Sequence, residues 1–290
     1  MAKIIITGVK GQLGQCLLDA ASHHPNHSVA GYDIDRLDIL NSDAVYETAK
    51  AAGAKALINC VAYNAVDKAE REQSEAWALN AYAVKGLAEV CERLGMWLLH
   101  ISTDFVFDGN ATLPYKEDDT PNPLSVYGAS KLGGEQFALS YKRAIVVRTS
   151  WLYAPNGTNF LSSLLHLGAR QEELRVIDDQ IGSPTFTPHL AEALLQIIGE
   201  IEASPTPDSL MGLYHFANGG ACSRFAFAQE MKERAKFGAR LVPISSSAHP
   251  TEAIRPAYSV LNCDKIGRLF GIKPPSLEDG LHDYFKMKTL

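Results

Sequence analysis

Short apolar runs and helical patterns alternate along the first half of the chain. Five largely apolar runs are typical of buried strands, namely 3–7, 27–33, 55–61, 96–102 and 143–150. Helical periodicity is clearest between them at 12–22, 74–95 and 125–141. Apolar strands that are separated by helices indicate a parallel sheet covered on both faces. The pattern therefore predicts an α/β fold with a doubly wound parallel sheet.

The pattern after residue 150 is less regular. Helices are predicted at 159–170, 189–201 and 223–237, and strands at 174–178 and 212–218. Pro and Gly interrupt the stretches between them, and the sequence contains no internal repeat or low-complexity linker. We expect this half to form a smaller lobe that packs on the sheet.

A glycine-rich turn follows the first predicted strand and opens the first predicted helix. The sequence TGVKGQLG contains Gly8, Gly11 and Gly14. Glycines here allow a tight turn and a close approach of the backbone, and the helix N-terminus can receive a pyrophosphate. This context favours a dinucleotide site over a purely structural turn. We expect a Rossmann-type domain at 1–150 and a mainly substrate-binding lobe at 151–290, with some later segments returning to the first domain.

The end of the second predicted strand carries both residue types that distinguish the two nicotinamide cofactors. Asp33 can accept hydrogen bonds from the ribose hydroxyls of NADH, whereas Arg36 can bind the 2′-phosphate of NADPH. The sequence therefore leaves the choice between NADPH and NADH open. Asp38 and Ile39 follow and could flank the adenine, although a helix cap is an equal alternative for Asp38.

A tyrosine precedes a lysine by four residues at two places in the chain. Tyr46–Lys50 lies in YETAK, and Tyr127–Lys131 lies in SVYGASK. Residues with this spacing share one face of a helix. A neighbouring cation favours the ionised form of a phenol, so the spacing is suited to acid–base chemistry. It also occurs by chance on surface helices, so spacing alone does not separate the two pairs.

The residues that precede each pair distinguish them. The fourth predicted strand ends in Ser-Thr-Asp at 102–104, and open α/β sheets bind ligands at the carboxyl ends of their strands. Tyr127 follows this strand end, so a hydroxyl, a phenol and an ammonium group can converge on one crevice. No comparable strand end precedes Tyr46. We therefore predict that the Tyr127 pair is chemical and that the Tyr46 pair is a surface feature.

Composition narrows the class of function. The chain has 290 residues, a net charge of −6 and no long basic run, which argues against nucleic-acid binding. No apolar run approaches the ~20 residues of a membrane-spanning helix, and no signal-peptide pattern precedes the first strand. The five cysteines are far apart, as in reduced cytoplasmic proteins. We expect a cytoplasmic protein without a metal site, and interpret the histidines of SHHPNH as a polar loop.

Together these residues resemble the extended short-chain dehydrogenase/reductase superfamily, which has a glycine-rich N-terminal turn, a strand-end Ser or Thr and a Y-x-x-x-K pair. The finer resemblance is to dTDP-4-dehydrorhamnose reductases, and it covers essentially the whole chain. The segments that carry it are AYNAVDKAE (62–70), STDFVFDG (102–109), YGASKLGGE (127–135), VRTSWLY (147–153), DQIGSPT (179–185) and RPAYSVL (255–261).

The resemblance implies three catalytic residues and an activity. Tyr127 would donate a proton, Lys131 would activate it and anchor the cofactor ribose, and Thr103 would hold the substrate oxygen. NADPH or NADH would reduce the C4 keto group of dTDP-4-dehydro-L-rhamnose, giving dTDP-L-rhamnose for cell-surface polysaccharide. The partner would be a small nucleotide sugar, with no nucleic acid or membrane, and a homodimer is left open.

The resemblance also implies binding residues. Those expected along the cofactor, besides the glycines, are Gln12, Leu13, Ala62, Tyr63 and Asn64. Asp104 and Trp151 would face the sugar nucleotide, and Arg255 would meet its diphosphate. A core position for Trp151 and a surface ion pair for Arg255 are the alternatives. Asn80 would support the lysine through a water molecule or would simply be buried.

Two other functions remain open from the sequence. One is another nucleotide-sugar reductase or an epimerase of the same superfamily. A dehydratase is disfavoured, because Phe105 follows the Thr-Asp pair where dehydratases carry an acid. The other is a non-catalytic, NADP-binding regulatory subunit, such as that of methionine adenosyltransferase.

Overall fold

The computed structural model describes residues 2–288. Its strands are β1 (Ala2–Thr7), β2 (His27–Tyr32), β3 (Ala56–Asn59), β4 (Trp97–Thr103), β5 (Ala144–Thr149), β6 (Leu152–Tyr153), β7 (Glu173–Ile177), β8 (Ile181–Gly182), β9 (Thr185–Phe186), β10 (Gly212–His215), β11 (Cys222–Ser223) and β12 (Arg240–Ile244). Its α-helices are α1 (Gln12–Ser22), α2 (Ser42–Ala52), α3 (Val66–Ala69), α4 (Gln73–Trp77), α5 (Ala83–Leu94), α6 (Val126–Leu139), α7 (Phe160–Gly168), α8 (Thr187–Ala203), α9 (Arg224–Ala235), α10 (Asp264–Phe270) and α11 (Leu277–Lys288).

Six parallel strands form the central sheet in the order β10-β5-β4-β3-β1-β2. Strand β1 has β2 on one side and β3 on the other. The chain passes from β1 to β2 and then crosses back over β1 to β3, so the direction of winding reverses between β1 and β3. A reversal of this kind opens a crevice at the carboxyl ends of the strands. The predicted doubly wound parallel sheet is confirmed.

Helices cover both faces of this sheet because its strands are apolar at successive positions. In β1, Ile4 and Ile6 contact the core beneath α1 and α8, whereas Ile5 contacts the core beneath α2 and α5. Side chains of a strand point alternately to the two faces. The continuous apolar runs of the sequence therefore fill two cores at once.

The second half of the chain contributes to the central sheet and also builds separate elements. Strand β10 pairs with β5, and α8 packs on α1. Apart from the central sheet, β7 pairs with β12, and α7 and α9 pack together beside them around Leu164, Phe227 and Met231. A division of the chain near residue 150 stays a prediction.

The structure adds elements that the sequence pattern did not predict. They include β12, α10, α11, the two-residue strands β6, β8, β9 and β11, the short helix α3 and a turn of π-helix at Ala78–Tyr82. The π turn divides the helix predicted at 74–95 into α4 and α5. A π turn adds one residue to the helical ladder and is frequent at functional sites. Within the described part of the chain, every helix is too short or too polar to cross a membrane.

Candidate active site

A cavity of about 290 Å³ lies at the carboxyl ends of β1, β3, β4 and β5. Most of the site residues predicted from the sequence line it. These are Gly11, Gln12, Leu13, Gly14, Ala62, Asn64, Thr103, Asp104, Tyr127, Lys131 and Trp151. The fold thus brings the glycine turn, the strand-end hydroxyl and the second Tyr–Lys pair to one place.

The glycine turn is shaped for close approach by a ligand. Gly8 has a φ of 80°, in the left-handed region that favours glycine. A Cβ at Gly14 would lie 2.3 Å from the carbonyl oxygen of Gly8, so a side chain there would collide with the backbone. Gly11 caps α1 without a side-chain hydrogen bond. The first backbone amides of α1 therefore border the cavity without a capping side chain, which suits a pyrophosphate.

The loop after β3 is fixed by Asn80 of the π turn. The Asn80 side chain accepts a hydrogen bond from the Tyr63 amide at 2.8 Å and donates to the Tyr63 carbonyl at 3.0 Å. It also donates to the Ser130 hydroxyl at 3.0 Å. These direct contacts hold the backbone between Ala62 and Asn64 at the cavity wall. Asn80 therefore connects this loop to α6, and a water-mediated role towards the lysine stays a prediction.

A hydroxyl, a carboxyl and a phenol meet at the end of β4. The Thr103 hydroxyl donates to Oδ1 of Asp104 at 3.1 Å. Burial raises the pKa of Tyr127 to about 12, and a hydrogen bond with Thr103 opposes that shift. Burial also raises the pKa of Asp104 to about 6. Tyr127 therefore keeps its proton at neutral pH, in contact with a strand-end hydroxyl.

Lys131 is buried one helical turn after Tyr127. Its amine donates to the carbonyl oxygen of Ile101 at 2.5 Å. Burial lowers the pKa of Lys131 to about 8, against the attraction of the Glu135 carboxylate. The influences on the pKa of Tyr127 are burial, Thr103 and Asp104. Activation of the phenol by Lys131 therefore stays a prediction.

A buried ion pair lies beneath these groups. Arg148 donates to the two carboxylate oxygens of Glu135 at 2.8 and 2.7 Å, and both side chains are 2% exposed. The Ser102 hydroxyl donates to the same carboxylate at 2.5 Å. Glu135 follows Lys131 by one turn of α6, while Arg148 lies on β5 and Ser102 on β4. The pair therefore fixes the helix that carries Tyr127 against the two strands beside the cavity.

Trp151 lies at the cavity edge with a strained backbone. Its φ is 44°, which is uncommon for a residue other than glycine and recurs at functional sites. A Cβ at Gly182 would lie 2.5 Å from the indole, so this glycine leaves room for the ring. The Arg224 guanidinium carbon lies 4.1 Å from the centre of the indole ring system. Packing from two distant segments thus fixes the indole.

A second cavity, of about 380 Å³, lies between α7, β7 and the segment before Arg255. Arg255 donates to both carboxylate oxygens of Asp67, at 3.1 and 2.7 Å. This is the ion pair that the sequence left as an alternative, and the Arg255–diphosphate contact stays a prediction. Arg224 and Gln180 also line the cavity.

The residues expected at the adenosine end lie after β2. Asp33 accepts hydrogen bonds from the amides of Lys10 at 2.8 Å and Ile34 at 2.9 Å, so it ties the glycine turn to β2. The Arg36 guanidinium carbon lies 5.2 Å from the centre of the Tyr32 ring. The choice between the cofactors stays open at these residues.

Asp38 and Ile39 have local roles in the fold. Asp38 accepts a hydrogen bond from the Leu40 amide at 2.9 Å and so stabilises the turn before α2. Ile39 is buried in the core beneath α2 and α5. Contacts of either residue with adenine stay predictions.

Sequence reasoning missed other residues of the two cavities. Thr149 and Ser150 line the main cavity at the end of β5, and the same strand-end rule that selected Thr103 could have found them. The Thr149 hydroxyl is buried and has no hydrogen-bond partner within residues 2–288. An unpartnered buried hydroxyl at the cavity fits a site that receives a polar ligand. Arg224 has no comparable local signal in the sequence.

Comparison with known proteins agrees with this geometry. Residues 2–289 match the family model described as RmlD substrate binding domain. The dTDP-4-dehydrorhamnose reductase of Aggregatibacter actinomycetemcomitans is 38% identical over 288 residues, covering 97% of each chain. Spore coat polysaccharide biosynthesis protein SpsK of Bacillus subtilis is 34% identical, covering 100% of this chain and 99% of the relative.

A solved structure is also similar over the full length. The dTDP-4-dehydrorhamnose reductase from Bacillus anthracis, in complex with NADP, has a TM-score of 0.92 and 36% identity, covering 99% of this chain and 100% of that chain. The glycine turn, the strand-end threonine and the buried Tyr–Lys pair are therefore set in a fold shared with reductases. The chain belongs to the RmlD family of dTDP-4-dehydrorhamnose reductases, within the extended short-chain dehydrogenase/reductase superfamily.

Proposed function

We propose that this protein reduces the C4 carbonyl of dTDP-4-dehydro-L-rhamnose to the alcohol of dTDP-L-rhamnose, with NADPH or NADH as the reductant. The observation that carries the proposal is the convergence of the glycine turn with Thr103, Tyr127 and Lys131 on one cavity. Reductases that match nearly the whole chain support the choice of substrate, and one of them is in complex with NADP.

Different residues of the first cavity would bind different parts of the cofactor. The amides after Gly11 would hold the pyrophosphate, and the loop from Ala62 to Asn64 would lie along the nicotinamide half. Lys131 would bind the ribose hydroxyls through its amine. A bound reduced nicotinamide supplies the hydride that this chemistry needs.

Tyr127 supplies the proton. Because burial raises the pKa of Tyr127 to about 12, the phenol is protonated at neutral pH. It can therefore donate its proton to the C4 oxygen of the sugar, which becomes the alcohol. The Thr103 hydroxyl would hold the same oxygen by a hydrogen bond. The Lys131 cation would stabilise the resulting tyrosinate, since a nearby positive charge favours an ionised phenol.

The sugar nucleotide would extend from the first cavity into the second. Asp104 and Trp151 border the reacting end, and Arg255 lines the cavity beyond it. The product would serve cell-surface polysaccharide synthesis, as the likeness to a spore coat polysaccharide biosynthesis protein suggests. A cytoplasmic location and a homodimer are further expectations, and size-exclusion chromatography tests the second.

The deciding experiment uses the purified protein alone. We expect it to oxidise NADPH when dTDP-4-dehydrorhamnose is added, forming one dTDP-rhamnose for each NADPH consumed. A folded protein that binds NADPH but leaves the sugar unchanged would indicate a regulatory subunit instead. Purification with a stoichiometric nicotinamide and interconversion of sugars without net oxidation would indicate an epimerase.

A further inference from the structure

Arg224 connects the walls of the two cavities. It is the first residue of α9 and lines the second cavity, whereas the indole that it contacts belongs to Trp151 of the first cavity. Its guanidinium carbon is 4.1 Å from the centre of the Trp151 ring and 5.6 Å from that of Phe160. The aromatic contacts hold the planar group in the second cavity, beside the indole that lines the first.

No carboxylate that lines the second cavity is available to Arg224, and the charge that acts on its guanidinium is that of Asp104 in the first cavity, which raises the pKa of Arg224 against the effect of burial. Asp67 is the carboxylate of the lining, and both of its oxygens are occupied by Arg255. Arg224 donates from Nε to the neutral Gln180 side chain at 3.1 Å and forms no salt bridge within residues 2–288. The exposed Arg175 adds a third cation to the lining. The cavity therefore has an excess of positive charge that an anion would neutralise.

The hydrogen bonds of Arg224 also leave donors available. With Nε held by Gln180, neither terminal nitrogen of the guanidinium has a hydrogen-bond partner in the described chain. Burial lowers the pKa of Arg224 to about 10, so the group remains charged at neutral pH. A guanidinium with free terminal donors matches the paired oxygens of a phosphate.

We propose that Arg224 binds the diphosphate of the sugar nucleotide, at the side of the second cavity that adjoins Trp151. The inference rests on the proposed function, since it assumes a substrate whose sugar reaches Tyr127. A diphosphate joins the sugar to the nucleoside, and Arg224 connects the walls of the cavities that would receive those two parts. Arg255, which the sequence suggested for this contact, has its charge compensated by Asp67 and serves to fix the cavity wall.

The test compares ligands that differ only in their phosphates. Binding of dTDP and of thymidine to the NADPH-loaded protein is measured by calorimetry for the wild type, Arg224→Gln and Arg224→Lys. We expect Arg224→Gln to weaken dTDP binding by about 10- to 100-fold, the range for a lost hydrogen bond to a charged group. Thymidine and NADPH should bind with wild-type affinity, and Arg224→Lys should weaken dTDP less than Arg224→Gln.

Arg175→Gln is the matched control, because Arg175 lines the same cavity but is exposed. It should change dTDP binding by less than threefold, as expected for a solvent-screened charge. Unchanged dTDP affinity in Arg224→Gln would overturn the inference about Arg224 but would not affect the proposed function. Equal losses for dTDP and thymidine would also overturn it, because they would indicate a collapsed cavity. Failure of the wild type to bind dTDP would overturn the proposed function as well.

Discussion

The chain contains the same Tyr–Lys spacing in two settings. On α2, the Lys50 amine lies 5.5 Å from the centre of the Tyr46 ring, and Lys50 is exposed. The Arg93 guanidinium carbon lies 3.9 Å from the same ring. On α6, Lys131 is buried, and its amine donates a hydrogen bond to the carbonyl oxygen of Ile101 on β4. The first pair stacks at the surface, whereas the second lies against the strand that ends at the cavity.

The difference shows that position relative to the sheet, and not spacing, gives a Tyr–Lys pair its chemical environment. Burial raises the pKa of Tyr127 to about 12 and lowers the pKa of Lys131 to about 8, so the pair on α6 combines a protonated phenol with an amine whose pKa is close to neutral pH. Such perturbed groups in a cleft are typical of functional sites.

The largest expected effect separates the two tyrosines. Tyr127→Phe should lower kcat by about 10²- to 10⁴-fold, because it removes only the hydroxyl that we propose as the proton donor. NADPH binding should persist, and fluorescence titration checks this. Tyr46→Phe is the matched control and should leave kcat within about twofold. Near wild-type turnover in Tyr127→Phe would show that another group donates the proton.

The next largest effect concerns the buried Arg148–Glu135 ion pair, which lies beneath Tyr127 and Lys131. Glu135→Gln should lower the free energy of unfolding by about 3–5 kcal/mol, because it leaves Arg148 buried without its partner. The exposed i,i+4 pair Lys85–Glu89 is the control, since Glu89→Gln should cost about 0.5 kcal/mol or less. Urea unfolding measures both. Equal losses would mean that the buried pair does not stabilise the position of α6.

Burial of the Asp104 carboxyl should lower the stability of the folded protein at neutral pH. The unfolded pKa is 3.8 and the folded pKa about 6, so between these values the folded state retains a proton that the unfolded state releases. Stability therefore falls as pH rises through this window, by up to roughly 3 kcal/mol at ~1.36 kcal/mol per pKa unit.

Asp104→Asn should thus be more stable than the wild type above pH 6 in urea unfolding, and similar to it near pH 3.8. Asp108 is a control of opposite sign, because backbone and side-chain hydrogen bonds lower the pKa of this half-buried carboxylate. Asp108→Asn should be destabilised at neutral pH. An Asp104→Asn variant that is less stable than the wild type at every pH would contradict this account.

A smaller effect is expected at the adenosine end. Arg36→Ala should raise the KM for NADPH by about 3- to 10-fold more than that for NADH, because a 2′-phosphate would lose an exposed cation. Arg93→Ala removes a similar arginine, stacked on Tyr46 away from the strand ends. It should change neither KM, and equal shifts for the two cofactors in Arg36→Ala would show that Arg36 does not reach the phosphate.

The sequence predicted the parts of the site whose signal is local. Thr103 and Tyr127 were found from a strand end and a helical spacing, and the glycine turn from its place between β1 and α1. Arg224 was not found, because its environment comes from Trp151 and Phe160, which lie far from it in the chain. The π turn was missed for a different reason: one extra residue shifts the apolar positions that follow it, and α4 before the turn is only five residues long, too short to show the earlier phase.

The smaller elements of the second half were missed because their patterns are weak. Strand β12 is five residues long and contains Pro243, which lacks the amide that a sheet ladder uses. It is held by parallel pairing with β7, a contact between distant segments. The pairing of Arg255 with Asp67 is likewise a tertiary contact. A single sequence shows such residues but not their partners.

The pH–rate profile at saturating NADPH tests the central contrast most directly, in the wild type, Lys131→Met and Lys50→Met. In the proposed mechanism reduction needs a proton on Tyr127 and a charge on Lys131, so wild-type kcat should fall as pH rises through about 8, the pKa of Lys131. Lys131→Met should lower the plateau and move the basic limb upward, towards the pKa of about 12 for Tyr127. Lys50→Met should leave both features unchanged. A Lys131→Met profile unchanged in height and position would contradict the account, because the buried pair would then be no more chemical than the pair on α2.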